Sequence, residues 1–466
     1  MELAHDRCFA ALASKDVRFD GRFFAGIETT GIYCRPVCPA RTPLAKNVRF
    51  FPSAAAAQEA GFRACMRCRP ETAPGAPAWK GTAATVTRAL RLIDGGALDR
   101  GSLPELASRL GLGERQLRRL FAQHVGASPK AVARVRRLNA TRLLLQTSEL
   151  PLSDVAFVAG FSSIRRFNDA VKTSFGRTPT ELRAQGVGGR GLTLNLSYRP
   201  PLEWGALLSF LKARGPVGVV HIEDGIYART VRAPDGCAAT ISARLLPEKN
   251  AVEVRVPAAL APVLTDVVRR IRHQFDLDAS PDSLREALGS DPQIGASVRE
   301  APGLRVPGAF DGFEVAIRAI LGQQISVKGA TTLLARIIDR WGDPVSEPRP
   351  GLTHLFPTPE QLREAAFEEV GIPGARSRAL RELSAGVADG RIDFLPRRDL
   401  KTTVSDLCAL RGFGPWTAHY LAMRVFREPD AFPGTDLVLK RAAADGASET
   451  WRPWRSYAAM HLWRTA

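Results

Sequence analysis

The sequence predicts a multidomain α+β protein of four successive units. These are a small four-cysteine metal domain, an all-α domain, an α/β domain built on an antiparallel sheet, and a second all-α domain. Three observations carry this reading. Four of the seven cysteines fall within the 35 residues from Cys34 to Cys68. Two Pro/Gly-rich joints, ETAPGAP at 71–77 and QGVGGRG at 185–191, interrupt the chain where turn chemistry is strongest. Between the joints apolar residues recur at helical three- and four-residue steps; from Leu192 they alternate as in half-buried strands, and after Pro307 the helical period returns. At 466 residues there is length for several separate cores. The expected boundaries are 1–75, 83–185, 191–301 and 302–466, with 343–351 (DPVSEPRPG) as the clear loop of the last unit.

The first unit rests on Cys34-x3-Cys38 and Cys65-x2-Cys68. Each short pair can place two sulfurs on one ion, and the loop between them brings the pairs together. An all-sulfur set favours zinc or an iron centre over hard cations. Arg35, Arg41, Arg63, Arg67 and Arg69 all lie within a few residues of a ligand. Two chemistries suit the spacing: a closed structural zinc site, or a site in which a bound metal keeps one thiolate available as a nucleophile.

Charge adds a partner class. Lys and Arg number 65 against 47 Asp and Glu, and residues 1–190 hold 30 of the basic and 15 of the acidic side chains. An excess concentrated in one part of a chain points to an anionic polymer. No stretch of about 18 apolar residues predicts a membrane span. The first residues, Met1 to Asp6, do not read as a signal peptide. Scattered remaining cysteines and a thiolate cluster that needs reducing conditions place the expected compartment in the cytosol.

The second unit contains two segments with one layout. Leu103–Gly111 runs into Glu114–Phe121, and Leu152–Phe161 runs into the helix that ends near Phe175. Each is a short helix, a Gly-containing turn and a second helix with a polar face. Each is followed by Gly-x-(Ser/Thr)-Pro, at 126–129 and 176–179. The block resembles the AraC-type double helix-turn-helix, which implies that the second helix of each pair enters a major groove. Arg115, Gln116 and Arg119, with Ser163, Arg165 and Arg166, are the candidate contacts, to phosphates or to base edges alike. Gly113 stands at the expected N-cap of the first recognition helix.

Residues 22–70, including Thr29-Thr30-Gly31-Ile32-Tyr33-Cys34-Arg35-Pro36, together with this block resemble the amino-terminal half of the Ada adaptive-response regulators. The resemblance implies one zinc ion held by Cys34, Cys38, Cys65 and Cys68, with Cys34 accepting a methyl group from a DNA methylphosphotriester. Zinc with four thiolates carries a net −2 and loses one negative charge on S-methylation. At about 10 Å in water-like dielectric that saves about 0.4 kcal/mol per nearby phosphate. Several phosphates would together give about tenfold in affinity. The Pro-Cys-His-Arg motif of the second Ada methyltransferase domain has no match, since Cys237 lies in Asp-Gly-Cys-Ala and Cys408 in Asp-Leu-Cys-Ala. Repair of guanine alkylated on its exocyclic oxygen is therefore not expected.

In the last unit, Leu410-Arg411-Gly412-Phe413-Gly414-Pro415-Trp416 places Gly-x-Gly between two helices, a turn whose amides can approach a phosphate. It precedes Phe432-Pro433-Gly434-Thr435-Asp436. With 302–308 (PGLRVPG), 318–323 (RAILGQ) and 451–457 (WRPWRSY), these segments resemble the AlkA-type helix-hairpin-helix DNA-3-methyladenine glycosylases over residues 192–466. The resemblance implies Asp436 as the catalytic carboxylate and Phe210, Gln323, Trp416, Tyr420 and Trp463 as the base pocket. It implies DNA contacts at Arg411, Gly412, Gly414 and Gln324, although Gln324 replaces the Leu that fills the vacated base stack in the family. Trp416 stands where lyase members carry a lysine, so a monofunctional enzyme is expected. The segment between Lys440 and Trp451 looks shortened relative to the family. The partners implied are double-stranded DNA, both damaged and as a promoter site, and RNA polymerase, with no membrane partner. A monomer in the bacterial cytoplasm, associated with the nucleoid, is expected. The alternative function is a regulator of the adaptive response whose glycosylase half is weak or inactive.

Overall fold

In the computed structural model, which describes residues 4–70, 73–75, 82–184, 191–444 and 446–465, the four units appear in the order read from the sequence. Parts of both joints, residues 71–72, 76–81 and 185–190, lie outside the described residues. No described helix is long and apolar enough to cross a membrane.

The first unit is a four-stranded sheet in the order β3 (Val48–Phe51), β1 (Phe24–Ile27), β2 (Ile32–Cys34), β4 (Arg63–Ala64). Gly31, at φ 64°, closes the turn between β1 and β2. The β2–β4 pairing is parallel, with Tyr33 opposite Ala64. This register makes Cys34 and Cys65 neighbours one step further on.

The second unit is helical. Helices Leu103–Arg109 and Glu114–Val125 form one pair, Leu152–Val158 and Ile164–Phe175 the other, with the long Pro129–Thr147 helix between them. The repeat extends to the caps. Gly126 and Gly176 end their helices at φ 69° and 68°, left-handed geometry that suits glycine. Ser128 and Thr178 then cap the next helices by accepting from the Ala131 and Glu181 amides.

The third unit is a five-stranded antiparallel sheet. Its strands in chain order are β5 (Gly191–Ser197), β6 (Val220–Glu223), β7 (Ile226–Arg232), β8 (Ala238–Leu246) and β9 (Ala251–Pro257), and they lie in the spatial order β5-β9-β8-β7-β6. The helical remainder carries one departure from expectation: 343–351, read as a loop, enters a hairpin of β10 (Pro344–Arg349) and β11 (Leu352–His354). The prolines that suggested a loop stand on a short exposed strand, where a missing amide is tolerated. Leu352 is buried and bridges Gly218, which anchors the hairpin to the third unit.

The units are not independent beads. One apolar cluster runs from Phe24 and Tyr33 through Leu117, Phe121 and Leu138 to Val252 and Val254 of the sheet. Buried guanidinium groups tie the rest. Arg199 donates to the carbonyls of Asp20, Pro74 and Gly75 on one side and of Asp278 and Ala279 on the other. Arg88, on the Thr82–Asp94 helix, pairs with Glu428 through two N–H···O contacts of 2.7 and 2.6 Å. Arg91 on the same helix donates to the carbonyls of Phe426 and Arg427, both at 2.9 Å. Arg109 pairs with Asp393 at 2.7 Å.

Candidate functional site

The structure brings two sets of reactive groups together, one in each half of the chain. In the first, the sulfurs of Cys34, Cys38, Cys65 and Cys68 lie within 4.8 Å of one another, and all four residues are buried. Four sulfurs at the zinc–thiolate distance of about 2.3 Å would stand about 3.8 Å apart at the corners of a tetrahedron, so the donor set fits one such ion. The Arg35 amide donates to the Cys68 sulfur at 3.4 Å, the kind of contact a thiolate ligand accepts.

The supporting groups were not legible in the spacing. The Arg35 side chain does not face outward: it pairs with buried Asp20 and donates to the Cys68 carbonyl at 3.2 Å. Arg142, from the long helix of the second unit, donates to the carbonyls of Cys65 and Met66 at 3.4 and 3.2 Å. The cysteine loop is therefore held from the helix-turn-helix side.

On that unit Arg115, Gln116, Arg119, Arg165 and Arg166 are all exposed. Ser163, grouped with them from sequence, is the N-cap of its helix and accepts from the Arg166 amide. Gly113 caps the first recognition helix without a side-chain bond.

The second set surrounds Asp436. Helices Leu400–Cys408 and Pro415–Arg424 flank the Gly-x-Gly turn. Gly412 sits at φ 81°, and a Cβ there would lie 2.5 Å from the Ala379 Cβ, so the turn admits no larger residue without strain. Nothing lies within 4 Å of a Cβ built on Gly414, which leaves its face open. Arg411 is exposed and pairs with Glu382 at 3.0 Å. Trp416 and Tyr420, one turn apart on the second helix, stack at 5.1 Å with 11° between their planes.

Asp436 caps the Leu437–Ala442 helix, its Oδ1 accepting from the amides of Val438 and Leu439 at 3.0 and 3.2 Å. Trp463 Nε1 donates to the same oxygen at 3.2 Å, and Trp416 Nε1 donates to Oδ2 at 3.1 Å. The carboxylate is thus fixed between two indoles and beside a stacked aromatic pair. Within the preceding loop, the Phe432 amide donates to His419 Nδ1 at 3.3 Å.

Gln323 lies against the hairpin turn. Its side-chain amide donates to the Gly412 carbonyl at 2.6 Å and to Thr417 Oγ1 at 2.9 Å, while Arg376 donates to its carbonyl at 2.7 Å. It ties its loop to the hairpin turn. Gln324 follows, exposed and at φ 59°, so the tied loop presents this side chain outward.

Two residues at the pocket escaped the sequence reading. Arg424 is buried; it donates to Tyr420 Oη at 2.7 Å and to the carbonyls of Pro307 and Gly308. Its position four residues after Tyr420 and eight after Trp416 on one helix was the available signal. Arg214 stands 4.1 Å from the centroid of the Phe210 ring, with Arg424 5.0 Å from the same centroid. Burial pushes the Tyr420 phenol up, but Arg424, Arg214 and Arg318 together bring it below its ordinary value.

Family models match every unit. They are the metal binding domain of Ada over residues 7–71, a helix-turn-helix domain over 106–185, the AlkA N-terminal domain over 193–311, and the HhH-GPD superfamily base excision DNA repair protein over 317–464. The chain is 43% identical to the "Probable bifunctional transcriptional activator/DNA repair enzyme AlkA" of Mycobacterium tuberculosis (strain CDC 1551 / Oshkosh), covering 99% of this chain and 96% of that one. It is 32% identical to the DNA-3-methyladenine glycosylase 2 of Escherichia coli (strain K12), over 58% of this chain and 96% of the relative. It is also 32% identical to the bifunctional transcriptional activator/DNA repair enzyme Ada of the same strain, over 40% of this chain and 50% of that protein.

Proposed function

The chain belongs to the family of bifunctional transcriptional activators and DNA repair enzymes of the AlkA type, and from that membership we propose two chemistries on one DNA-binding protein. Its carboxy-terminal half is a monofunctional DNA glycosylase that hydrolyses the N-glycosidic bond of alkylated bases such as 3-methyladenine. Its amino-terminal half is a methylphosphotriester acceptor and transcriptional activator.

The observation that carries the first reading is the Asp436 carboxylate held by the Trp416 and Trp463 indoles beside the Trp416–Tyr420 stack. A glycosylase takes its target base out of the duplex before reacting. The C1′–N bond breaks with its electron pair going to the base, and positive charge develops on the sugar. Asp436 stabilises that charge; at about 4 Å and an effective dielectric of about 20 a unit pair is worth up to about 4 kcal/mol, or about three decades of rate. Water then bonds to C1′ and gives up a proton. No amine stands at position 416 to attack the sugar, which supports hydrolysis without lyase chemistry.

For the second reading, Cys34, Cys38, Cys65 and Cys68 would hold a zinc ion, whose positive charge would keep the thiolates deprotonated near neutral pH. The Cys34 sulfur attacks the phosphotriester methyl carbon. An S–C bond forms, the C–O bond breaks, and the phosphodiester leaves with the electron pair as an anion. Exposed Arg115, Gln116, Arg119, Arg165 and Arg166 supply groove and phosphate contacts at the promoter, and RNA polymerase is the partner of the activator function. A monomer acting in the cytoplasm completes the proposal.

A base-release assay run beside intact-mass spectrometry after incubation with methylated DNA tests both. Asp436→Asn is expected to abolish 3-methyladenine release while promoter binding persists; unchanged release removes Asp436 from the reaction. Cys34→Ala is expected to block the mass gain of one methyl group without affecting base release. A labelled methyl group on that variant would place the acceptor elsewhere.

A further inference from the structure

Asp436 reaches the pocket on an irregular segment that joins the Pro415–Arg424 helix to the Leu437–Ala442 helix. The carboxy-terminal helix pins the first part of that segment. The Ser456 amide donates to the Pro429 carbonyl, and Ser456 Oγ donates to the carbonyls of Glu428 and Ala431, each at 2.8 Å. Arg455 donates to the carbonyl and the carboxylate of Asp430, at 3.0 and 2.8 Å. Beyond Ala431 these pins stop. Residues 432–436 bond locally instead, the Gly434 amide to the Phe432 carbonyl and the Asp436 amide to the Pro433 carbonyl, both at 2.8 Å. Pro433 has no amide to offer. Among the described residues, one hydrogen bond joins residues 432–435 to another element: the Phe432 amide donates to His419 Nδ1 at 3.3 Å.

His419 shares its helix with Trp416, three residues earlier, a spacing that puts both side chains on one face. Trp416 Nε1 donates to the Asp436 carboxylate at 3.1 Å, and His419 holds Phe432, four residues upstream of that carboxylate. One helix thus grips the loop at both ends. A backbone amide only donates, so Nδ1 must present its lone pair, which requires the neutral ring with its proton on Nε2. Burial favours that form by lowering the imidazole pKa, and the Arg455 guanidinium acts in the same direction.

Resting on the reading of Asp436 as the catalytic carboxylate, we propose that His419 is a positioning residue for base excision, whose Nδ1 lone pair holds the Phe432 amide and so fixes where the Asp436 carboxylate meets the sugar. His419 acts through the loop and takes no part in bond breaking. A displacement of about 1 Å at a reacting group can lower a rate by about 100-fold, and an interaction made only in the transition state is lost from the rate and not from binding.

The test is single-turnover release of 3-methyladenine from methylated DNA by the full-length chain, beside its affinity for a duplex carrying an abasic-site analogue. His419→Leu removes the acceptor and is expected to slow release by about 10–100-fold while affinity changes by less than about threefold. His419→Asn places a carbonyl oxygen the same number of bonds from Cβ as Nδ1 and should recover most of the rate. His419→Ala serves if the leucine variant fails to fold. Release at the unmodified rate without the acceptor would overturn the proposal. An equal loss of affinity, or an asparagine variant as slow as the leucine one, would overturn it too, since either assigns His419 to the packing of the hairpin. Asp436→Asn in the same assay keeps the two readings apart. Full release by that variant removes Asp436 from the reaction, whereas an inactive Asp436→Asn beside an unimpaired His419→Leu sinks the role of His419 alone.

Discussion

The bond between Arg88 and Glu428 makes the helix-turn-helix unit part of the repair half, and its removal has a calculable effect. The Arg88 and Glu428 side chains are only 9% and 2% exposed. Their fork-to-fork contacts of 2.7 and 2.6 Å satisfy both oxygens of the carboxylate. Truncating either partner leaves the other charge buried and uncompensated, a cost of about 3–5 kcal/mol. Replacing both with apolar side chains of similar volume removes that orphaned charge and is expected to cost about 1 kcal/mol or less. Arg88→Met and Glu428→Leu should therefore be severe singly and mild together, a double-mutant coupling of several kcal/mol. Urea unfolding followed by tryptophan fluorescence reads the effect from the right side of the interface. Of the seven tryptophans, six lie between Trp204 and Trp463 and none within residues 83–183. A shift caused by Arg88→Met thus reports linkage across the boundary, equivalent to roughly 6–20 °C at about 2–4 °C per kcal/mol. A midpoint unmoved beyond about 0.5 kcal/mol, or strictly additive variants, would show that the halves unfold independently and sink the argument.

Two further effects follow from buried groups. His461 is buried with Nδ1 3.0 Å from Ser297 Oγ, and burial, with Arg464 adding to it, holds its pKa down to about 4. A folded value below the unfolded value of about 6.5 means the unfolded chain binds the extra proton, so stability is complete above about pH 6.5 and falls by about 2 kcal/mol by pH 5. His461→Gln should flatten that dependence, and identical pH profiles for the two proteins would refute it. Arg142→Ala should loosen the cysteine loop and speed loss of zinc to a chelator by about 10–100-fold, measured with a colorimetric zinc indicator. Unchanged release would mean that the Cys65 and Met66 carbonyls need no support.

What could be read from the sequence was whatever the chain encodes locally. The cysteine pairs, the two Gly-x-(Ser/Thr)-Pro signatures and the Gly-x-Gly turn each lie within a few residues, and periodicity marked the helices around them. The hairpin at β10 and β11 escaped because its prolines argued for a loop, while its anchor, the bridge from Leu352 to Gly218, is distant in sequence. The arginines escaped for the same reason. Arg142 reaches back 77 residues to Cys65, and Arg88 reaches forward 340 to Glu428. Their burial also corrects the charge reading. Part of the basic excess of the amino-terminal half, including Arg35, Arg88 and Arg142, is turned inward to carboxylates and carbonyls. The positive surface left for DNA is smaller than the count of basic residues suggests.

Arg199 sets an order of events during synthesis. It stands 179 residues after Asp20, whose carbonyl it binds, and two of its other partners, Asp278 and Ala279, come later still. At about 5–20 residues per second, a ribosome needs roughly 10–35 s to pass from one to the other. Once the cysteine domain has left the ribosome, and until Arg199 follows it, the carbonyls of Asp20, Pro74 and Gly75 lack the guanidinium that will join them. The first domain to emerge is thus among the last to be closed, and its final stitch is supplied by the repair half. A nascent chain interrupted before Arg199 would carry a cysteine domain without that stitch.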